Sequence, residues 1–276
     1  MSTSEIIKQR RSIRNYTGEP LRKEHADQIL NYIAGLKSPF EGKARIELVH
    51  THTGTEPVKL GTYGVISGAS DFLVLVYEES DMGEENAAYL FENVILFCTE
   101  LGLGTCWISG TFKKSDFAKQ VNLQPNEFLK IVSPVGYIND KKRFVETLMG
   151  SDRNHKSRKP FKENFYDGYF DKHLTEENAG IFRDPLEMVR LAPSASNKQT
   201  WRVILNNGML HFYHHESIAM FDFSKFDLGI ALCHFDLTCK ELRIAGKFEV
   251  LAKIKKISIR KDKYSVTWIK STPRPY

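Results

Sequence analysis

Apolar residues recur along the chain with two periods, which predict helices and strands in alternation. Steps of three and four residues predict helices over about Glu24–Leu36, Glu84–Leu101, Glu176–Leu191 and Leu228–Ala245. Gly102 follows the second of these and is expected to cap it in a left-handed conformation. Alternating or continuous apolar runs predict strands over Arg45–His50, Phe72–Tyr77, Ile131–Tyr137, Trp201–Leu205, Met209–His214, Glu249–Ile259 and Tyr264–Lys270. These elements together predict an α+β fold in which mainly antiparallel sheets are flanked by helices.

The order of elements runs through the chain twice. The polar, basic stretch from about Met149 to Glu163 separates the two runs and is interpreted as a connector. The second and fourth helices contain segments of equal length and similar apolar pattern, Tyr89–Gly104 and Ala231–Gly246, and both segments end in glycine. This likeness indicates an internal duplication. We therefore predict two related lobes, residues 1–150 and residues 151–276.

Composition narrows the class of protein. The 276 residues contain 39 Lys and Arg against 34 Asp and Glu, and the apolar fraction of 41% is sufficient for a packed core. No apolar run approaches the roughly 18 residues of a membrane span, and Met1–Arg14 lacks the apolar centre of a secretory signal. The four cysteines form no CxxC pair, which favours a reducing, cytoplasmic setting. The net charge of +5 permits an anionic ligand without requiring nucleic acid.

The common catalytic and metal-binding motifs are missing from the sequence. There is no HExxH, no GxSxG and no Walker loop, and the histidine pairs lack a cysteine or histidine partner set for a metal. Gly102 and Gly104 follow a predicted helix instead of a strand, so they do not fit a dinucleotide-binding loop. We expect no bound metal and no essential catalytic side chain.

Four segments carry candidate binding residues, and each has an ordinary alternative. Arg10–Arg14 (RRSIR) places three guanidiniums and a hydroxyl within five positions, which suits a phosphate, although a solvated tail would look the same. Lys141–Arg143 is either a second anion contact or a solvated turn. The loop Ala192–Trp201 is rich in small polar residues that can approach a flat ligand, or it is a plain connection. Leu101–Gly110 ends a helix and re-enters the core, where Trp107 would be buried.

Two further basic runs are interpreted as solvated. Lys253–Lys263 alternates cations with isoleucines, which predicts a strand with one basic face in water. Lys156–Lys162 lies in the connector and is expected to be solvated as well. Nucleic-acid binding through these runs is the last-ranked function, because the cations alternate with core-facing residues.

The four segments taken together resemble the FMN-dependent nitroreductase family, and their partition resembles its tandem, pseudo-dimeric TM nitroreductase branch. Ordinary members of the family are homodimers in which the partner chain supplies the PSxxN loop to each FMN. Here the first lobe has RRSIR, LGLGTCWISG and GYINDKKR, but only a degenerate Lys37–Phe40 in place of the loop. The second lobe has the loop but no RRSxR, and its long helix ends in Arg243–Gly246 instead of LGLG. The resemblance therefore implies one shared FMN site, for which a monomer would suffice.

The resemblance also implies a role for each matching residue. Arg10, Arg11 and Ser12 would hold the FMN phosphate and ribityl end, with Lys141 and Arg143 adding positive charge. Arg14 would lie at the pyrimidine edge of the flavin. The stretch Trp107, Ile108, Ser109 and Gly110 would pass the ring plane, with a backbone N–H of Ser109 or Gly110 reaching N5. The other edge would be closed from the second lobe by Pro193, Ser194, Ala195, Ser196 and Asn197.

The implied activity is an FMN oxidoreductase that takes hydride from NADH or NADPH and reduces a nitroaromatic, a quinone or a similar small acceptor. Two departures leave the acceptor and the electron donor open. Thr200 replaces the proline that precedes Trp201 in the family, and Ser109 stands where some members have Glu. The alternatives are a flavin-binding protein without turnover, or a related flavin reaction such as reductive dehalogenation or flavin breakdown. No membrane or nucleic-acid partner is expected.

Overall fold

The structure is a computed structural model and describes residues 1–53, 56–57, 61–62, 64–139, 157–216, 222–255 and 261–271. Elements before the connector are the helices α1 (Thr3–Gln9), α2 (Lys23–Gly35), α3 (Gly83–Glu100) and α4 (Lys114–Gln120), and the strands β1 (Ala44–His50), β2 (His52–Thr53), β3 (Glu56–Pro57), β4 (Asp71–Glu78), β5 (Gly104–Thr105), β6 (Ile108–Ser109) and β7 (Glu127–Gly136). Elements after it are the helices α5 (Phe161–Asn164), α6 (Arg183–Leu191), α7 (Ser224–Glu241) and α8 (Ala252–Lys255), and the strands β8 (Phe165–Asp167), β9 (Trp201–Asn206), β10 (Met209–His215), β11 (Gly246–Glu249) and β12 (Asp262–Lys270).

Two five-stranded sheets form the framework. The first has the order β1-β4-β7-β5, with β6 also paired to β7, and all its neighbours are antiparallel. The second has the order β11-β12-β10-β9-β8 and is antiparallel except for the parallel pair β8–β9. The predicted α+β class with mainly antiparallel sheets flanked by helices is confirmed. The predicted lobe boundary at residues 150 and 151 lies outside the described residues and stays a prediction.

The two long helices, α3 and α7, pack against each other between the sheets. Each has 18 residues, and each is buried on nearly all sides, as expected for helices at the centre of a protein. Gly229 allows their backbones to approach closely, because a Cβ there would lie 2.3 Å from the Glu85 carbonyl oxygen. The helix pair therefore joins the two halves through their cores.

Local signals in the sequence explain several element ends. Gly102 has φ +76° directly after α3, which confirms the predicted left-handed cap. Asn207 and Gly208 connect β9 to β10 with φ +49° and φ +74°, the pattern of a type I′ hairpin turn.

Three predicted elements were wrong in part. The helix expected from Glu176 begins only at Arg183, because Gly180 has φ +54° and begins a short 3-10 turn over Gly180–Phe182. The helix expected over Leu228–Ala245 runs from Ser224 to Glu241, since Arg243 adopts φ +56° and stops it. The strand expected over Glu249–Ile259 ends at Glu249, and Ala252–Lys255 forms a helical turn, while residues 256–260 lie outside the described residues. None of the described helices combines the length and the apolar character needed to cross a bilayer.

Candidate functional site

The basic segment after α1 runs alongside strand β5. The Ile13 N–H donates to the Thr105 carbonyl at 2.8 Å, and Ser12 bridges to Thr105 as a short parallel pair. The path is tight, because a Cβ on Gly104 would lie 2.9 Å from Cγ2 of Ile13. Glycine at position 104 therefore allows the arginine-bearing segment to lie directly against the LGLGTCWISG segment.

The side chains of this basic segment face a cleft. Arg10, Arg11, Ser12 and Arg14 all line it, and Arg10 is only 5% exposed. The Nε atoms of Arg10 and Arg14 are buried and have no hydrogen-bond partner within the described part of the chain. Burial lowers the pKa of Arg10, and the nearby Glu92 carboxylate opposes that shift. A buried arginine and a half-buried one, each with a buried Nε that makes no hydrogen bond to the described residues, form a site that would gain from an anion.

The loop from the second half closes the opposite side of the cleft. Pro193, Ser194, Ala195, Ser196 and Asn197 all line it, and the last three form a single 3-10 turn. Ser196 and Asn197 have φ +52° and φ +57°, which costs free energy for residues other than glycine. Strained backbone of this kind persists only where neighbouring contacts hold it, and it occurs often at ligand sites.

Asp227 in the first turn of α7 supplies those contacts. Its carboxylate accepts the Ala195 N–H at 2.8 Å and the Thr200 hydroxyl at 3.0 Å. The side chain is buried, and burial raises the pKa of Asp227 to about 8. Sequence reasoning missed this residue, although it also lines the cleft.

At the cleft wall, three buried side chains, Arg10, Glu92 and His234, form a polar cluster with the half-buried Trp107 across the two long helices. Glu92 of α3 accepts the Trp107 indole N–H at 2.7 Å through Oε2 and contacts Nε2 of His234 at 2.9 Å through Oε1. The same Oε1 lies 3.8 Å from Nε of Arg10. Glu92 and His234 are both fully buried, at 0% exposure. The cluster therefore links two cleft-lining residues, Arg10 and Trp107, to the second half.

The hydrogen bonds of the cluster define its proton count. Nδ1 of His234 lies 3.0 Å from the Met188 carbonyl, which can only accept, so that nitrogen carries a proton. The contact between Nε2 and Glu92 then holds one shared proton, either on the imidazole or on the carboxyl group. In both forms Glu92 and His234 together carry no net charge. The net charge of the cluster is therefore the single positive charge of Arg10.

Most of the predicted site residues converge in this one cleft, which has a volume of about 520 Å³. The predicted residues that line it are Arg10, Arg11, Ser12, Arg14, Trp107, Ile108, Ser109 and Pro193–Asn197. Gly110 does not line the cleft, although its neighbours Ser109 and Thr111 do, and it adopts φ +75°. Lys141 and Arg143 fall outside the described residues. Sequence reasoning missed the lining residues Val65, Cys106, Thr111, Ile131, Ser157, Arg158, Phe223, Phe226, Asp227 and Ile230.

Some of the missed residues have a signal in the sequence. Phe223, Phe226 and Ile230 recur at steps of three and four at the start of α7, so they share one face of that helix. They give the cleft an apolar wall. With basic groups at one part and apolar side chains at another, the cleft suits an amphipathic anion, and its volume is typical of small-molecule sites. The residues present therefore fit a flavin mononucleotide, which joins an anionic phosphate to a flat ring.

Comparisons with known proteins identify the family. A family model described as "Putative TM nitroreductase" matches residues 2–239. A solved structure described as a putative nitroreductase from Thermotoga maritima aligns over 98% of this chain and 94% of its own, with 19% identity and a TM-score of 0.59. The chain belongs to the TM nitroreductase family and has the nitroreductase-like fold.

Other solved structures resemble about half of this chain. An FMN-dependent nitroreductase from Clostridium difficile covers 50% of this chain and 88% of its own, with 20% identity and a TM-score of 0.39. A nitroreductase with bound FMN from Bacteroides fragilis covers 52% and 92%, with 19% identity and a TM-score of 0.40. No curated protein matches the sequence. The family supports a general role as an oxidoreductase.

Proposed function

We propose that the protein is an FMN-dependent NAD(P)H oxidoreductase that reduces nitroaromatic, quinone or similar small acceptors. The observation that carries the proposal is the convergence of two distant segments, Arg10–Arg14 and Pro193–Asn197, on one cleft. The cleft contains buried guanidinium nitrogens that make no hydrogen bond to the described residues. Membership of the TM nitroreductase family supports the same class of activity. The FMN named for similar structures supports the cofactor.

The proposed roles follow the chemistry of the lining residues. Arg10, Arg11 and Ser12 would hold the phosphate, and Arg14 would stabilise negative charge at the pyrimidine edge. Trp107–Gly110 and Pro193–Asn197 would enclose the ring from the two sides of the cleft. Lys141 and Arg143 stay predicted phosphate contacts. When bound, FMN would supply the redox chemistry by accepting hydride from NADH or NADPH and passing electrons to the acceptor.

We also propose that the chain is an internal pseudo-dimer of lobes 1–150 and 151–276 with one FMN, for which a monomer suffices. The contact between Glu92 and His234 supports this. Each is the fourth residue of its matched segment, Tyr89–Gly104 or Ala231–Gly246. At a two-fold axis, equivalent residues of two subunits meet each other. A pseudo-two-fold axis that passes between α3 and α7 would bring equivalent positions together, and the 2.9 Å contact between Glu92 and His234 agrees with that arrangement.

A reducing, cytoplasmic location is part of the same proposal. All four cysteines, Cys98, Cys106, Cys233 and Cys239, are buried free thiols. Such thiols stay reduced in the cytoplasm.

An absorbance spectrum tests the proposal. Protein purified under native conditions, or mixed with added FMN and separated from the excess, is expected to show flavin bands at one FMN per chain. Anaerobic addition of NADH or NADPH is expected to bleach the visible band, and a nitroaromatic or quinone is expected to restore it. Absence of FMN binding would refute the cofactor assignment. Binding without bleaching by either donor would indicate a flavin-binding protein without turnover.

A further inference from the structure

Arg158 belongs to the basic connector that the sequence predicted to be solvated, and for this residue the prediction was wrong. The side chain is half-buried and lines the cleft, as does its neighbour Ser157. It thereby brings a guanidinium from the second half to the cleft that contains Arg10, Arg11 and Arg14.

Hydrogen bonds to the described residues use only part of the donor capacity of Arg158. Its Nε and Nη2 both donate to the Leu191 carbonyl at 3.3 Å, and its Nη1 donates to Oδ1 of Asn197. A guanidinium has five N–H groups, so one N–H on each Nη nitrogen is not used by the described residues and can bind a ligand. These contacts also fix the plane of the guanidinium, which reduces the entropy lost when it binds an anion.

The charge of Arg158 has no carboxylate partner in the part of the chain that the structure describes. Instead, other cations lie near it. Burial lowers the pKa of Arg158 most, and the nearby guanidiniums of Arg10 and Arg190 lower it further, to about 10. The Glu92 carboxylate opposes this shift, but it is already bonded to Trp107 and His234. Like charges held together at the edge of a cleft are stabilised when an anion binds between them.

We propose that Arg158 binds the phosphate of FMN from the second half, across the cleft from Arg10, Arg11 and Ser12. This proposal rests on the proposed function. The phosphate carries close to two negative charges, and it is the only group of FMN that calls for several guanidiniums. Through Arg158, phosphate binding would tie the connector and the Pro193–Asn197 loop to the arginine segment of the first half.

A purely structural role for Arg158 makes a different prediction. Asn197 accepts from Arg158 and donates its own Nδ2 to the Ser157 carbonyl at 3.1 Å, so Arg158 also supports the strained turn. If support were its whole role, its loss would weaken every flavin that touches the turn. Riboflavin separates the two roles because it has the same ring and ribityl chain as FMN but no phosphate.

The experiment measures binding of FMN and of riboflavin to flavin-free protein by fluorescence titration. Arg158→Gln is expected to raise the Kd for FMN about tenfold to a hundredfold and to change the Kd for riboflavin less than about threefold. Arg158→Lys, which keeps the charge but loses the planar fork, is expected to fall between wild type and Arg158→Gln for FMN. Arg190→Gln is the matched control. Arg190 also donates to a backbone carbonyl, but it pairs with Glu187 and does not line the cleft. Its loss should leave the ratio of the Kd for FMN to the Kd for riboflavin near the wild-type value.

Several outcomes would overturn the proposal. Equal weakening of FMN and riboflavin by Arg158→Gln would assign the residue to support of the turn alone. An unchanged Kd for FMN in that variant would remove it from the site. If Arg158→Gln does not fold, as judged by circular dichroism, Arg158→Lys decides by the same ratio. If the wild-type protein binds neither flavin, the proposed function itself fails, which is distinct from a failure confined to the variants.

Discussion

Removing the carboxyl group of Glu92 is expected to destabilise the protein strongly, because this group connects the two halves where neither is exposed to water. In Glu92→Ala, the Trp107 indole N–H and Nε2 of His234 would lose their partner inside the protein, and Arg10 would lose a carboxylate that lies 3.8 Å from its Nε. Breaking a buried charged or hydrogen-bonded pair by removing one side typically costs about 3–5 kcal/mol. We expect a loss of free energy of unfolding in that range.

The conservative variant Glu92→Gln should cost much less. Its amide oxygen can accept from Trp107, and its amide N–H can donate to Nε2 of His234, whose proton then stays on Nδ1 toward the Met188 carbonyl. What this variant removes is any negative charge next to Arg10, at a separation of 3.8 Å. We expect a loss of about 1 kcal/mol, the size of one adjusted hydrogen bond.

The assay is equilibrium unfolding in urea followed by circular dichroism, with wild-type protein and both variants at pH 7. Glu100→Ala on the same helix is the control. Glu100 is exposed, and its ion pair among the described residues is with the N-terminal amine at 3.8 Å, so its loss should change the free energy of unfolding by less than about 0.5 kcal/mol. A loss below about 1 kcal/mol for Glu92→Ala would contradict the reasoning. So would equal losses for the alanine and glutamine variants.

Three further outcomes follow from the packing around the two long helices. Asp227→Ala should weaken FMN binding about tenfold in a titration, because the strained turn at Ala195 loses its carboxylate anchor, and unchanged binding would contradict that role. Burial raises the pKa of Glu85 to about 7 from its ordinary value near 4.5, so the fold favours its neutral form and loses stability as pH rises between those values. Glu85→Gln should therefore raise the free energy of unfolding at pH 8 by up to about 3 kcal/mol and change it little at pH 4.5. Thermal melts at the two pH values check this, and an equal change at both would refute the raised pKa of Glu85. Gly229→Ala places a Cβ 2.3 Å from the Glu85 carbonyl oxygen and should lower the free energy of unfolding by about 3 kcal/mol or prevent folding. In the control Gly35→Ala the new Cβ meets nothing within 4 Å, so the same melts should show almost no change.

Sequence patterns predicted the elements that bury a continuous face and failed where single residues decide a boundary. The long helix α3 and the strands β4, β9 and β10 follow from apolar periodicity, which reflects burial directly. The start of α6 depends on the positive φ of Gly180, and the sequence alone does not show which conformation a glycine within a helical pattern adopts. The alternation of isoleucine and lysine after Glu249 has the period of a strand, yet part of it forms a helical turn.

The candidate site shows the same division. Arg10–Arg14 and Pro193–Asn197 could be predicted because each segment carries a recognisable composition. Arg158 could not, since one half-buried arginine in a basic run has the same sequence signature as its solvated neighbours. Asp227 and Glu92 are carboxylates within mostly buried helices. The role of Glu92 arises only when the second half is docked against the first, and the role of Asp227 arises only when the Ala192–Trp201 loop folds back onto the start of α7.

The asymmetry of the proposed pseudo-dimer is visible at two equivalent carboxylates. Asp227 and Glu85 each lie four residues before the matched segments of their helices. Asp227 holds the Ala195 turn at the cleft, while Glu85 bonds to Ser265 and leaves its Oε2 without a partner among the described residues. Where the first half has its degenerate loop, Phe40 packs against Tyr89 and Phe248, with ring centroids 5.6 Å and 5.0 Å apart. Aromatic packing at this position serves the core instead of a ligand, so the same ancestral arrangement would be kept as a binding loop in one half and converted to structure in the other.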